Sequence, residues 1–166
     1  MISPATLDDL PEITAIYNHE VLHGVATFDT QARTEAEIGD WFFGAGNRYP
    51  SLTARQDGRV AGFARLYRWS PRQGYDDTVE NAVYVHPDFR GLGLGKALLG
   101  RILERGRQNR FRTVIARIAA ENQLSRRLHE QAGFRHVGVL REAGLKFGRL
   151  LDVDLFQRML IPGALD

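Results

Sequence analysis

Apolar residues recur at intervals of three and four positions in four segments of the chain, which is the spacing of helices with one buried face. A Thr34-x-x-Glu37 capping box opens the second segment and Gly133 closes the fourth, so these two helices have well-marked ends. The predicted helices run from Thr6 to about Gly24, from Thr34 through Phe42, from Leu94 to about Gly106, and from Gln123 to Ala132.

Runs rich in β-branched and aromatic residues lie between these helices and predict strands. The dipeptide Asp57-Gly58 separates two of them and favours a tight hairpin, because a type I′ turn needs positive φ at both positions. The predicted strands are Met1–Pro4, Leu52–Gln56, Val60–Tyr67, Thr78–Val85, Thr113–Ile118, Arg135–Leu140 and Leu151–Met159. The order β-α-α-β-β-β-α-β-α-β-β predicts a mixed sheet with helices packed on it, a three-layer α/β architecture.

With 166 residues, the chain has the length of one ordinary domain, and no internal repeat or linker divides it. We therefore expect a single domain over residues 1–166. Hydrophobic residues make up 43% of the chain and charged residues 25%, which is typical of a globular protein. The absence of cysteine excludes disulfides, thiolate zinc sites, iron–sulfur clusters and a cysteine nucleophile.

The net charge and the hydropathy of the chain limit the kinds of partner that we expect for this protein. The formal net charge of +2 is too small to suggest a nucleic-acid-binding protein. No apolar run reaches the roughly 18 residues of a membrane helix, and the N-terminus lacks the basic and apolar regions of a signal peptide. We therefore expect a cytoplasmic protein with neither a membrane nor a nucleic acid as partner.

A glycine-rich segment, Arg90-Gly91-Leu92-Gly93-Leu94-Gly95-Lys96, lies between a predicted strand and a predicted helix. Glycines there let the chain turn tightly, and they let N–H groups converge on an anion at the positive end of the helix dipole. A diphosphate is the expected ligand. The spacing excludes a P-loop, because Ala97 follows Lys96, and a Rossmann fingerprint, because Lys96 stands at the third glycine position.

Arg90, Gly93 and Gly95 fit the pattern R/Q-x-x-G-x-G/A, and this segment resembles the pyrophosphate loop of the GNAT N-acetyltransferases. Residues 121–134 are similar to a second GNAT signature, N-x-x-S/A-x-x-L-Y/H-x-x-x-G-F. Five further segments resemble the phosphinothricin and methionine-sulfoximine acetyltransferase branch: YNHEV (17–21), TF (27–28), TVENAVYV (78–85), LHEQAGF (128–134) and GLKFGRLLDV (144–153). The resemblance thus extends over most of the chain.

This resemblance implies the GNAT fold, an α/β fold with a mixed, mostly antiparallel central sheet flanked by helices. It also implies acetyl-CoA as cosubstrate, no metal, a small amine as acceptor and a homodimer. In such proteins the strand before the glycine loop separates from its neighbour and binds pantetheine, while the loop holds the pyrophosphate. The implied cofactor-binding residues are Val83, Tyr84, Val85, Arg90, Gly91, Leu92, Gly93, Leu94, Gly95, Lys96, Asn122 and Ser125. Asn122 is alternatively the N-cap of the helix that follows it, or has both roles.

Acetyl transfer to an amine calls for a general base, because amines with pKa values of roughly 8–10 are mostly protonated at neutral pH. The candidate is Glu80, a carboxylate within an otherwise apolar strand, at the position where the resemblance implies the base. The alternative is a carboxylate on a solvent-facing side of the sheet. His129 stands where many GNAT enzymes carry a tyrosine that protonates the thiolate, and histidine donates protons near neutral pH. A packing or substrate-orienting role is the alternative for His129.

The resemblance also implies the residues that contact the acceptor, which are Phe28, Arg72, Tyr75 and Lys146. An arginine can pair bidentately with a carboxylate or a phosphinate. The chain departs from the branch at Ser70, where arginine is expected, and at Leu150, where tryptophan is expected. Both departures concern the acceptor and not acetyl-CoA.

Other interpretations remain open. Residues 19–23 read HEVLH and fit HExxH, the pattern of a zinc metalloprotease helix. Against a zinc site, Gly24 ends the predicted helix, and Ala26 and Asp29 stand where the metzincin extension needs glycine and histidine. The remaining alternatives are a non-catalytic acyl-CoA sensor and an acetyltransferase for a polyamine, another amino acid, or a protein N-terminus or lysine.

Overall fold

The computed structural model describes residues 1–46 and 48–161, which form a seven-stranded sheet with helices on both faces. The strands are β1 (Ile2–Pro4), β2 (Ser51–Gln56), β3 (Arg59–Arg68), β4 (Thr78–Val85), β5 (Thr113–Ala119), β6 (Arg135–Lys146) and β7 (Arg149–Met159). The α-helices of the described residues are α1 (Leu10–His23), α2 (Glu35–Phe43), α3 (Leu94–Gln108) and α4 (Gln123–Gln131). The strands lie in the order β1-β2-β3-β4-β5-β7-β6, so every predicted helix and strand is present.

Two apolar clusters, one on each face of the sheet, hold the layers together. α3 packs on one face through Leu98, Leu99 and Ile102, all of which are fully buried. α1 and α2 pack on the other face, where Ile13 and Ile38 are fully buried. The three-layer α/β arrangement predicted from the element order is therefore confirmed.

The sheet is antiparallel except between β4 and β5, which run parallel. Their ladder consists of three residue pairs and ends at Glu80–Ile115. β3 nevertheless follows β4 as far as Val85, and β7 follows β5 as far as Ala119. The two central strands therefore separate inside the sheet. We call this gap, between residues 81–85 of β4 and 116–119 of β5, the strand opening.

The C-terminal hairpin extends beyond its predicted bounds. The apolar pattern predicts a strand over 135–140, whereas β6 continues to Lys146, and β7 begins slightly earlier than predicted. β6 bends at Glu142, which has a φ of 49° and donates its N–H to Asp152 at 2.8 Å. Backbone pairing with β7, and not a buried apolar face, holds this part of β6, so the hydrophobic pattern gave no signal for it.

Both apolar clusters pack against one and the same sheet, which supports a single domain for the described residues. The predicted domain over 1–166 also includes Asn47 and residues 162–166, which lie outside the described residues, so its extent stays a prediction. Within residues 1–46 and 48–161, no helix has both the length and the apolar character needed to cross a membrane.

Candidate active site

A cavity of about 660 Å³ lies at the strand opening. β4 contributes residues 80–84 to its wall, and β5 contributes residues 116–119. The loop after α1, the start of α4 and residues 143–145 of β6 close the remaining sides. The volume is that of a small-molecule site, so the separation of two strands creates a walled cavity in the middle of the sheet.

Glu80 lies in the wall of this cavity, at the last residue pair that joins β4 to β5. Its carboxylate is buried, and Oε1 accepts a hydrogen bond from Arg117 Nε at 2.7 Å. This hydrogen bond raises the pKa of Arg117, while burial and then the Glu80 carboxylate raise the pKa of the neighbouring Tyr67 above its usual range. Glu80 is thus a cavity carboxylate beside two groups that keep their protons, and it does not lie on a solvent-facing side of the sheet.

His129 is buried on α4 with both ring nitrogens engaged. Its Nδ1 lies 2.7 Å from the carbonyl oxygen of Ser125, which can only accept, so this hydrogen-bond network assigns the proton to Nδ1. Its Nε2 therefore accepts from Asn81 Nδ2 at 2.9 Å. Burial lowers the pKa of His129, so the ring is neutral at neutral pH. This arrangement suits an orienting role better than proton donation to a thiolate.

Asn81 is a cavity residue that the sequence analysis missed. Its Nδ2 donates to His129, whereas its Oδ1 is buried and has no hydrogen-bond partner within the described part of the chain. A buried carbonyl oxygen without a partner is costly, so this oxygen suits a ligand that brings an N–H group. Glu80 and Asn81 are neighbours on β4, so their side chains face opposite sides of the sheet, and the strand pattern gave no reason to place Asn81 in the same site as Glu80. Both residues nevertheless line the cavity, because it passes through the strand opening.

We expect His129 to make the folded protein less stable as the pH falls below about 6.5. The unfolded ring takes up its proton near that pH, whereas burial lowers the folded pKa, so the unfolded state binds more protons between the two values. His129→Gln should therefore flatten this part of the profile of unfolding free energy against pH, measured by urea unfolding. The control is His23→Gln at the exposed end of α1, which should keep the wild-type slope. A slope that His129→Gln leaves unchanged would contradict the burial effect.

The glycine loop, residues 90–96, leads into α3 and includes the first turn of that helix. Gly91 and Gly93 have φ values of 80° and 78°, which favour glycine, and the space beyond each Cα is open. The first N–H groups of α3 have no acceptor within the helix and face the same space. Leu92 and Lys96 are exposed beside them. The predicted loop thus has the backbone geometry of a diphosphate site.

The Arg90 side chain, which is 46% exposed, extends from this loop to α1. Its guanidinium pairs with Glu20 of α1, and its Nε donates to the carbonyl oxygen of Val85 at 3.3 Å. The structure therefore supports a positioning role for Arg90, which was predicted as an acetyl-CoA contact. This ion pair with Arg90 engages Glu20, which is the glutamate of the HExxH pattern. The rings of His19 and His23 lie 4.9 Å apart on α1 in a tilted arrangement, and the described residues contain no group of three or more His, Asp or Glu side chains arranged to hold a metal ion.

The other predicted acetyl-CoA contacts surround the strand opening. Val83 and Tyr84 line the cavity, and the Tyr84 hydroxyl donates to the carbonyl oxygen of Ala26 at 3.1 Å. Asn122 caps α4 through an Oδ1 that accepts from Ser125 N at 3.1 Å, so its capping role is confirmed, and both residues also line the cavity. Separated strand backbones, the Asn81 oxygen and the glycine loop together fit a ligand with amides and a diphosphate, as acetyl-CoA has.

The structure brings one of the four predicted acceptor contacts into the cavity. Phe28 lines it and packs so closely on Gly144 that a Cβ there would lie 2.0 Å from the ring. Arg72 and Tyr75 lie in the exposed segment between β3 and β4, outside the cavity wall. Lys146 is buried, and its Nζ donates to two main-chain carbonyls of α1 and the following loop. Burial lowers the pKa of Lys146. These three residues are therefore not assembled with Glu80 in this chain.

Besides Asn81, the unpredicted polar residues of the cavity wall include Tyr17, Thr27, Asp29, Arg33, Tyr67 and Arg117. The Tyr17 hydroxyl donates to Asp29 Oδ2 at 2.7 Å, and Arg33 Nε donates to the same oxygen at 2.5 Å. Burial raises the pKa of Tyr17 to about 12, so the hydroxyl remains protonated. A charged residue within an apolar strand was the signal that identified Glu80, and the same signal in β5 would have identified Arg117.

Comparison with known proteins agrees with this geometry. Residues 12–134 match the model of the acetyltransferase (GNAT) family. The chain is 40% identical over 164 residues to a phosphinothricin N-acetyltransferase of Alcaligenes faecalis, with 94% of this chain and 80% of that protein covered. It is 38% identical over 157 residues to an L-methionine sulfoximine/L-methionine sulfone acetyltransferase of Salmonella typhimurium, with coverages of 92% and 90%.

Its structure is also similar to that of a GNAT superfamily phosphinothricin acetyltransferase from Sinorhizobium meliloti, solved in complex with acetyl-CoA. The TM-score is 0.92 at 37% sequence identity, and the similarity covers 96% of this chain and 87% of the other. The predicted fold and the sequence resemblance are thereby confirmed. This chain belongs to the GNAT acetyltransferase family.

Proposed function

We propose that this protein acetylates the primary amine of a small amino-acid-like acceptor of the phosphinothricin, methionine sulfoximine or methionine sulfone type. As a member of its family, it is an acetyl-CoA-dependent N-acetyltransferase. The observation that carries the proposal is the position of Glu80. Its buried carboxylate lies in the wall of the cavity between β4 and β5, whose separated backbones suit the binding of acetyl-CoA. The relatives whose names state these acceptors cover 94% and 92% of the chain, which supports the acceptor class.

Main-chain groups would hold the donor. The N–H groups of residues 91–96 would bind its diphosphate, and Val83–Val85 with Asn122 would bind the pantetheine amides. Acetyl-CoA, when bound, supplies an acetyl thioester whose carbonyl carbon a free amine would attack. The C–S bond would break as the C–N bond forms, and the departing CoA thiolate would take up the proton that the acetylated nitrogen loses. An N–H group near Val85 would then donate to the oxygen on which negative charge develops.

Side chains would prepare the acceptor. Glu80 would take a proton from the ammonium group, directly or through one water, so that the nitrogen lone pair becomes available. His129 would keep Asn81 in the orientation in which its Oδ1 faces the cavity. Phe28 and the polar residues beside it would enclose the acceptor on the side opposite β5.

A thiol-release assay with acetyl-CoA tests the proposal. The acceptor panel contains phosphinothricin, methionine sulfoximine, methionine sulfone, the common amino acids, polyamines and a lysine peptide. We expect release with at least one of the first three. Release with other amines alone would retain the acetyltransferase and refute the acceptor class. No release with any amine, while acetyl-CoA still raises the melting temperature, would favour an acyl-CoA sensor.

We further propose a homodimer that covers the exposed side of the C-terminal hairpin. β6 is an edge strand, and most of its residues are exposed. Six apolar residues of the β6–β7 hairpin are between 44% and 61% exposed, namely Val137, Leu140, Leu145, Phe147, Leu150 and Met159. Such a patch is typical of an interface, and a second copy offers the same surface. Light scattering after size exclusion tests this, and a monomer at micromolar concentration would refute it.

A further inference from the structure

The ion pair between Glu80 and Arg117 joins a fixed group to a movable one. The Glu80 side chain is 6% exposed, whereas the Arg117 side chain is 52% exposed. Glu80 stands at the end of the β4–β5 ladder, while Arg117 lies beyond it, on the separated part of β5. The exposed half of Arg117 lets its side chain shift, but the buried Glu80 carboxylate would then lack a partner, so the arginine is displaced only when another cation takes its place.

The same ion pair conflicts with the proposed role of Glu80. Arg117 Nε binds Oε1 of the carboxylate that is to receive the proton of the acceptor. Tyr67 lies beside both residues as a further hydrogen-bonding partner. An ammonium group that approaches Glu80 therefore has to compete with a guanidinium that is already in place.

Arg117 has the geometry to bind a carboxylate. The hydrogen bond to Glu80 uses Nε, one of several donors on a planar guanidinium that can hold a carboxylate bidentately. The guanidinium carbon lies 5.7 Å from the ring centre of Trp69, within the range of a cation–π contact. Two arginines line the cavity among the described residues, and the other, Arg33, is held by Asp29 on the opposite side.

We infer that Arg117 is the carboxylate-binding residue for an α-amino-acid acceptor and that the acceptor replaces the internal ion pair. The acceptor carboxylate takes Arg117, and its ammonium group takes the place of Arg117 beside Glu80. The ion pair between Glu80 and Arg117 is thereby replaced by two ion pairs with the zwitterionic acceptor, and the net charge of the cavity does not change. Glu80 becomes available as a base only when a molecule with both charges on adjacent groups is bound. This inference rests on the proposed function and adds the determinant of acceptor class.

The test compares an amino acid with its carboxamide, which lacks the carboxylate charge. kcat and KM are measured for L-methionine sulfone, or for the best amino-acid acceptor of the panel, and for the corresponding amide. We expect Arg117→Leu to raise KM for the acid by about 10–100-fold, the effect of losing a charged hydrogen bond. KM for the amide should not rise, because its ammonium group no longer competes with Arg117 for Glu80 and it has no carboxylate to lose a partner, so the preference for the acid over the amide should collapse. Arg117→Lys, which keeps the charge without the planar fork, should recover part of this preference.

Arg48→Leu is the matched control. Arg48 pairs with Asp77 at 2.7 Å, lies 5.3 Å from the ring centre of Phe111 and is 47% exposed, but it does not line the cavity. This variant should keep the wild-type preference, and the melting temperatures of all variants show that they fold.

If Arg117→Leu impairs turnover of the acid and of the amide equally, the role of Arg117 is purely structural and the inference is overturned. A wild-type enzyme that does not prefer the acid over the amide would also overturn it. A wild type that releases no CoA with any amine would overturn the proposed function as well.

Discussion

Glu80→Gln should lower kcat by about 10²–10⁴-fold, the usual effect of losing a general base, with no loss of acetyl-CoA affinity. The amide has the shape of the carboxylate and can still accept the hydrogen bond from Arg117, but it cannot take a proton from the acceptor. The other carboxylate among the described residues of the cavity wall is Asp29, whose Oδ2 already accepts hydrogen bonds from Tyr17 and Arg33. Turnover is measured by thiol release at saturating substrates, and affinity by calorimetry with acetyl-CoA.

Asp154→Asn provides the control for this result. Asp154 is equally buried and pairs with Arg126 at 3.2 Å, but it lies on β7 outside the cavity wall. Its replacement tests whether the loss of any buried, arginine-paired carboxylate slows the enzyme. We expect a folded Asp154→Asn variant to have a near-normal kcat. An unchanged kcat in Glu80→Gln would refute the assignment of Glu80 as the base.

Gly93→Asp should weaken acetyl-CoA binding by about 10–100-fold through repulsion between the new carboxylate and the diphosphate. Gly93 is the N-cap of α3, and a Cβ at this position meets nothing within 4 Å. The side chain therefore extends into the open space where the first N–H groups of the helix converge. Calorimetry with acetyl-CoA or its thermal stabilisation of the protein measures the effect.

Two further variants separate charge from backbone strain. In Gly93→Asn the new side chain has nearly the shape of aspartate without the charge, and asparagine tolerates positive φ better than most residues. The affinity of this variant for acetyl-CoA should therefore fall much less than that of Gly93→Asp. Gly58→Asp introduces an aspartate at a φ of 79° in the β2–β3 turn, with nothing within 4 Å, and should leave the affinity unchanged. Equal losses in Gly93→Asp and Gly93→Asn would show that strain, and not repulsion, is responsible.

The sequence identified those parts of the site that depend on local pattern. The glycine loop was found because its spacing is a backbone requirement, and Glu80 because a carboxylate is exceptional in an apolar strand. The capping role of Asn122 also depends on residues close to it in the sequence. Each of these features lies on a regular element whose ends are well marked by its neighbours.

The rest of the site depends on contacts between distant segments, which the sequence pattern does not contain. The orientation of the Arg90 side chain depends on its ion pair with Glu20, seventy positions earlier. The burial of Lys146 depends on carbonyls more than a hundred positions away, so its cationic end was expected at the acceptor and is instead part of the scaffold. Arg117 carries a local signal, a charge within an apolar strand, but its pairing with Glu80 at the strand opening is a contact between distant segments.

The short ladder between β4 and β5 also has a consequence for the lifetime of the folded enzyme. Three residue pairs join the two halves of the sheet, so a ligand that lies in the strand opening contacts both halves at their weakest junction. By thermodynamic linkage, a ligand at a hundred times its Kd adds about 2.7 kcal/mol to the stability of the folded state. Resistance to unfolding and proteolysis should therefore rise and fall with the supply of acetyl-CoA, which makes cosubstrate availability a determinant of enzyme abundance as well as of rate.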